Sequence, residues 1–115
     1  MRCLIAEDEP GVLRMLVRFL AARGHSCMGT ASAAELQRLS RQERPEVVLS
    51  DVGLGADDGI EACLRLKREQ PSLRVLMMTG DPAHARRIEA AGLGPALRKP
   101  FTLTEFKEAA EPLGL

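Results

Sequence analysis

Short apolar runs alternate with stretches of helical periodicity from one end of the chain to the other. Cys3-Leu4-Ile5-Ala6, Val47-Val48-Leu49-Ser50, Arg74-Val75-Leu76-Met77-Met78 and Ala96-Leu97-Arg98 read as buried strands, and Ser26 to Thr30 as a less apolar one. After the first run, Pro10 suits the first turn of a helix, and Val12, Leu13, Leu16, Val17 and Leu20 recur at helical spacing with Arg14 and Arg18 off the stripe. Gly24 punctuates its end. Ser32-Ala33-Ala34-Glu35 predicts a capping box opening a second helix that carries Leu36 and Leu39. Pro45 precedes the third strand. A Gly- and Asp-rich loop, Gly53 to Gly59, predicts an irregular lead into a third helix with Ile60, Cys63, Leu64 and Lys67 on one side, ended by Pro71. Asp81-Pro82 opens a fourth helix holding Ala85, Ile88 and Ala91, broken by Gly92 and Gly94. Thr102-Leu103-Thr104-Glu105 is a second capping-box pattern, and it predicts a last helix with Leu103, Phe106, Ala110 and Leu113 inward.

Five strands, each followed by a helix, predict an α/β fold: a doubly wound, flavodoxin-like (βα)5 domain with a five-stranded parallel sheet in the order 2-1-3-4-5. In such sheets ligands bind beyond the carboxyl ends of the strands, where the strand order reverses. The first strand runs into Glu7-Asp8, the third into Asp51, the fourth into Thr79 and the fifth into Lys99-Pro100. Two strand ends thus bring acids, one a hydroxyl and one an amine to the same edge. Two carboxylates about 5 Å apart repel by roughly 3 kcal/mol at an effective dielectric near 20. Glu7, Asp8 and Asp51 together therefore need a cation to stay ionised, and an all-oxygen site suits Mg2+.

Composition narrows the field. A chain of 115 residues is expected to form one domain, residues 1–115, with a real core. Sixteen basic and sixteen acidic residues cancel, and the only aromatics are three Phe, so neither a nucleic-acid footprint nor a base-stacking surface is expected. No apolar stretch reaches membrane-spanning length, and the first strand begins almost at Met1, so the expectation is a cytoplasmic domain without a signal peptide. Cys3, Cys27 and Cys63 show neither CxxC nor zinc spacing and are expected to be reduced, buried small hydrophobes.

Glu7-Asp8, Asp51, Asp58-Gly59, Thr79 and Lys99-Pro100-Phe101, in this order and nearly all at strand ends, resemble the receiver domain of two-component response regulators, and the likeness spans nearly the whole chain. The resemblance implies Asp51 as phosphoacceptor, with Thr79 and Lys99 completing the catalytic set. It implies Mg2+ held by Asp8, Asp51 and the Gly53 backbone carbonyl, with Glu7 acting through a water. A sensor histidine kinase or a histidine phosphotransfer protein would be the donor, and a downstream effector protein or output domain the receiver of the signal. The implied switch surface is helix four, strand five and helix five, which is also the face through which a homodimer would form. The peptide bond before Pro100 is usually cis in this family.

The chain departs from the family pattern at three places. Ala96 stands where a Tyr or Phe gate is common, Gly80 follows the Thr where Ala is usual, and Gly55 replaces a loop Pro. Gly80 and the Gly53–Gly55 segment are expected to supply backbone motion in place of an aromatic swing.

Other readings weigh less. Capping alone could explain Asp8 or Asp81 but does not bring Glu7 and Asp51 together with Lys99. An aspartate-nucleophile phosphatase needs a second acid where Gly53 stands, and a flavodoxin-like nucleotide binder would not place Glu7-Asp8-Glu9 after its first strand. A pseudo-receiver acting only by protein contacts has no need of the intact acids and Lys99. Asp57 and Asp58 are expected to shape their loop, His25 and His84 to be surface residues without partners, and Arg86 and Arg87 to form a solvated face.

Overall fold

The computed structural model describes all 115 residues. Strands β1 (Arg2–Ala6), β2 (Ser26–Thr30), β3 (Val47–Asp51), β6 (Arg74–Thr79) and β7 (Leu97–Arg98) form one parallel sheet in the order β2-β1-β3-β6-β7. This is the 2-1-3-4-5 order expected, with β6 and β7 as the fourth and fifth strands of the sheet. Helices α1 (Pro10–Ala22), α2 (Ala33–Glu43), α3 (Gly59–Glu69) and α4 (Pro82–Ala90) connect the strands, and α5 (Leu103–Ala110) follows the last of them, trailed by a one-turn 3-10 helix (Glu111–Leu113). No helix is long and apolar enough to cross a membrane.

Strand side chains alternate between two cores, as the pleat requires. Leu4, Val48 and Met77 point to one face, where Leu36 and Leu39 of α2, Ile60, Cys63 and Leu66 of α3 and Ile88 of α4 close over them. Cys3, Ile5, Val47, Leu49, Leu76 and Met78 point to the other, under Leu16 and Leu20 of α1 and Phe106 and Ala110 of α5. Both faces of the central strands are therefore covered, and polar chemistry is left only at the strand ends.

Four expectations change. The Gly53–Gly59 segment is not irregular throughout: β4 (Gly53–Leu54) and β5 (Asp57–Asp58) pair as a small antiparallel hairpin, turned at Gly55 with φ +65°. Ser32 does accept from the Glu35 N–H at 3.1 Å, but the reciprocal half of a capping box is present only at Thr102 and Glu105. Leu103 is 44% exposed at the first position of α5, and Phe106, one turn on, is the first residue of that helix in the core. Finally, the sulfurs of Cys3 and Cys27 are joined. Parallel register sets these two residues side by side on β1 and β2 with Cα atoms 4.8 Å apart, so they are a pair and not two independent thiols. Cys63 is free and buried, as expected.

Candidate active site at the carboxyl edge of the sheet

Register assembles the site. Ala6 lies opposite Ser50, so the next residues, Glu7 and Asp51, leave the sheet side by side. Asp51 lies opposite Met78, with Thr79 one step further, and Thr79 lies opposite Arg98, with Lys99 one step beyond that. The Lys99 N–H donates to the Thr79 carbonyl at 2.9 Å, which carries the strand pairing to the rim. The Lys99–Pro100 bond is cis, as the resemblance implied.

Lys99 joins the acids. Its Nζ donates to Glu7 Oε1 and Oε2 at 2.7 and 2.8 Å and to Asp51 Oδ2 at 3.1 Å. Asp8 completes the group: Glu7, Asp8 and Asp51 each offer a carboxylate oxygen, all within 4.8 Å of one another. Glu7 is 1% exposed, Asp51 half-buried and Asp8 exposed, so the cluster has a closed floor and an open mouth. Burial is the largest influence on the Glu7 carboxyl and pushes it above the usual glutamate range; the Asp51 charge adds to the rise, and the Lys99 bonds offset part of it. Burial also works against the Lys99 charge, but its bonds to Glu7 and Asp51 outweigh that and hold the ammonium above the ordinary lysine range. Three close carboxylate oxygens and no sulfur or imidazole among them form a donor set that fits a hard divalent cation. Asp8 does not cap α1, whose N-cap is Glu9 with no side-chain bond, so capping does not account for it.

Thr79 is buried at the end of β6, and its Oγ1 accepts from the Asp81 N–H at 3.1 Å. Gly53 opens β4 and lines a cleft of about 230 Å3 with Val52, Asp58, His84 and Arg87. Asp58 shapes its loop as expected: Oδ1 accepts from the Ile60 N–H at 2.9 Å and caps α3. The close approach there needs Gly59, whose N–H donates to the Val52 carbonyl at 2.6 Å and where a Cβ would run into the Asp51 carbonyl oxygen. Gly80 has no such need, since a Cβ there would meet Lys99 atoms only at 3.6 Å or beyond.

Two residues read as solvated surface turn toward the site instead. His84 Nδ1 lies 3.4 Å from Thr79 Oγ1, and its Nε2 lies 3.9 Å from Asp81 Oδ2. Arg87, one turn further along α4, donates to Asp58 Oδ2 across the cleft. Burial would raise the Asp58 carboxyl, but the Arg87 and Ile60 bonds hold it below the usual aspartate range. The signal in the sequence was the spacing of Asp81, His84 and Arg87 at i, i+3, i+6, which puts all three on one edge of the helix. What that edge would face was not in the spacing. His25 does have a partner, the N-terminal amine 3.0 Å from its Nδ1, far from this site.

The family model for the response regulator receiver domain matches residues 3–111. Among curated relatives, the transcriptional regulatory protein TcrA of Mycobacterium tuberculosis is 35% identical over 107 residues, 91% of this chain and 42% of that protein. The DNA-binding transcriptional regulator NtrC of Azospirillum brasilense is 28% identical over 110 residues, 94% of this chain and 23% of that protein. The chain thus spans less than half the length of these relatives. Among solved structures, chemotaxis protein CheY4 of Vibrio cholerae superposes with TM-score 0.87 at 21% identity, covering 97% of both chains. A two-component response regulator of Clostridium difficile does so with TM-score 0.88 at 16% identity, covering 98% of this chain and 94% of that one. These two likenesses speak for the fold.

Proposed function

The chain belongs to the response regulator receiver domains, modules of two-component phosphorelay signalling, and from that premise we propose that Asp51 is its phosphoacceptor and that residues 1–115 act as one such domain. One observation carries the proposal: the Lys99 ammonium bonds Glu7 and Asp51 together beside Asp8, so a cationic donor and a nucleophilic carboxylate share one open pocket.

Asp51 is the half-buried acid at the mouth, and Lys99 bonds its Oδ2 and so aims the carboxylate. Attack by its free carboxylate oxygen on a phosphohistidine forms the O–P bond as the N–P bond breaks, and the departing imidazole keeps the electron pair and takes a proton. Lys99 can follow the charge onto a phosphoryl oxygen without leaving Asp51, and the Thr79 hydroxyl can donate to another. Asp8, Asp51 and the Gly53 carbonyl would hold Mg2+ directly, with Glu7 reaching it through a water. When bound, the ion screens the incoming phosphoryl group from the carboxylates. Hydrolysis of the acyl phosphate then resets the domain. The domain is in this reading a signalling acceptor that catalyses only its own phosphorylation and dephosphorylation.

The donor would be a sensor histidine kinase or histidine phosphotransfer protein in the cytoplasm. A groove of about 310 Å3 formed by Glu9, Val12, Met15, Lys99, Pro100 and Phe101 supports this, since a helix seated there would bring a histidine to the site through the shared Lys99. Output would pass from α4, β7 and α5 to an effector protein or output domain, with a homodimer through the same face. Incubation with acetyl phosphate and Mg2+ followed by mass spectrometry tests the assignment. One phosphoryl adduct, absent in Asp51→Asn, is expected. No adduct on the unaltered chain would favour a phosphorylation-independent pseudo-receiver.

A further inference from the structure

Thr79 has a partner that the chemistry at Asp51 does not need. Its hydroxyl carries one proton. The oxygen already accepts from the Asp81 N–H at 3.1 Å, so the proton is free to point at His84 Nδ1, 3.4 Å away. That requires His84 to carry its hydrogen on Nε2, the nitrogen that faces Asp81 Oδ2 at 3.9 Å, and the acid favours this tautomer. A phosphoryl oxygen can only accept. His84 and a phosphoryl group on Asp51 therefore compete for the same hydroxyl proton.

We propose that His84 is the positioning residue of this switch: it holds the Thr79 hydroxyl in the resting state, and phosphorylation frees α4 by taking Thr79 from it. The inference rests on Thr79 contacting the phosphoryl group. His84 and Arg87 lie one turn apart on α4 and make the two ties of that helix to the site, one to Thr79 and one to Asp58. Losing the first leaves α4 tied at its second turn, so the first turn can swing. Ala96 packs against the same core as Ile88 and Ala91, and it has no side chain that could relay a movement of Thr79. The relay must run through a side chain that touches both Thr79 and α4, and His84 does both.

The test uses beryllofluoride with Mg2+ as phosphoryl mimic. Nitrogen-15 spectra of the ligand-free chain should show the His84 proton on Nε2, and the Nδ1 signal should move when beryllofluoride binds. His84→Ala should bind beryllofluoride about threefold more tightly, the worth of one long net hydrogen bond, and its α4 amide signals should shift toward the bound positions before ligand is added. His84→Gln, which keeps an acceptor, should return toward the unaltered chain. In a Thr79→Ala background His84→Ala should change nothing. If Thr79→Ala binds the mimic as well as the unaltered chain, the phosphoryl contact of Thr79 is wrong. If Thr79→Ala weakens binding while His84→Ala is neutral, or if the proton sits on Nδ1, the contact stands and the His84 inference is overturned.

Discussion

Replacing Lys99 with Met removes the only cation bonded to Glu7, whose side chain is fully buried. Stripping one partner from a fully buried pair costs about 3–5 kcal/mol. Here the Lys99 and Asp51 side chains keep 23% and 15% exposure, so water takes up part of the loss and about 2–3 kcal/mol is expected at pH 7. Glu7 also has an escape, because it can fold protonated. From an unfolded pKa of about 4.3, that route limits its share of the loss to about 3.7 kcal/mol at pH 7 and about 1 kcal/mol at pH 5. The sign follows from the direction of the shift. A carboxyl whose folded pKa is raised adds stability below its unfolded pKa and loses it as pH climbs toward the folded value, and Lys99→Met raises the folded value further. Urea titrations should therefore show a midpoint about 1–2 M below that of the unaltered chain at pH 7, for a slope near 1.5 kcal/mol/M, and a much smaller gap at pH 5. Adding Glu7→Gln should close most of the gap and flatten its pH dependence. A deficit under about 0.5 kcal/mol at pH 7, or one equal at both pH values, would refute the reasoning, which counts Glu7 as a buried charge that depends on Lys99.

Gly59→Ala should cost about 3 kcal/mol or more in the same titration, since the added carbon meets the Asp51 backbone, which the hairpin and sheet hold in place. Burial pushes the Cys63 thiol up to about 12, with a Ser50 bond offsetting it only in part, so iodoacetamide at pH 9 should label Cys63 only as fast as the chain unfolds. The stability that this thiol contributes should erode as pH rises from the ordinary thiol range toward 12; rapid labelling of the folded chain at pH 9 would contradict its burial. Met15→Lys should slow phosphotransfer from a histidine kinase at least tenfold while acetyl phosphate labels Asp51 as before, and equal slowing with both donors would remove the groove as the docking site.

The chain by itself determined the order of strands and helices, the parallel sheet, and which residues stand at its carboxyl edge. Those follow from local periodicity, from the handedness of crossovers and from the strand-to-helix alternation, all of which act over short stretches. Glu7, Asp51, Thr79 and Lys99 were legible for that reason: each sits at the end of an apolar run, and register does the rest. Side chains that cross between elements were not legible. That His84 faces Thr79 and Arg87 faces Asp58 depends on how α4 rotates over β6, which Ile88 sets by entering a core built from six other elements. The exposure of Leu103 depends on which turn of α5 first reaches the core, and the pairing of Cys3 with Cys27 on the register of two strands separated by a whole helix. A periodic pattern tells a helix which face to bury; only the packed neighbours decide what its remaining faces touch.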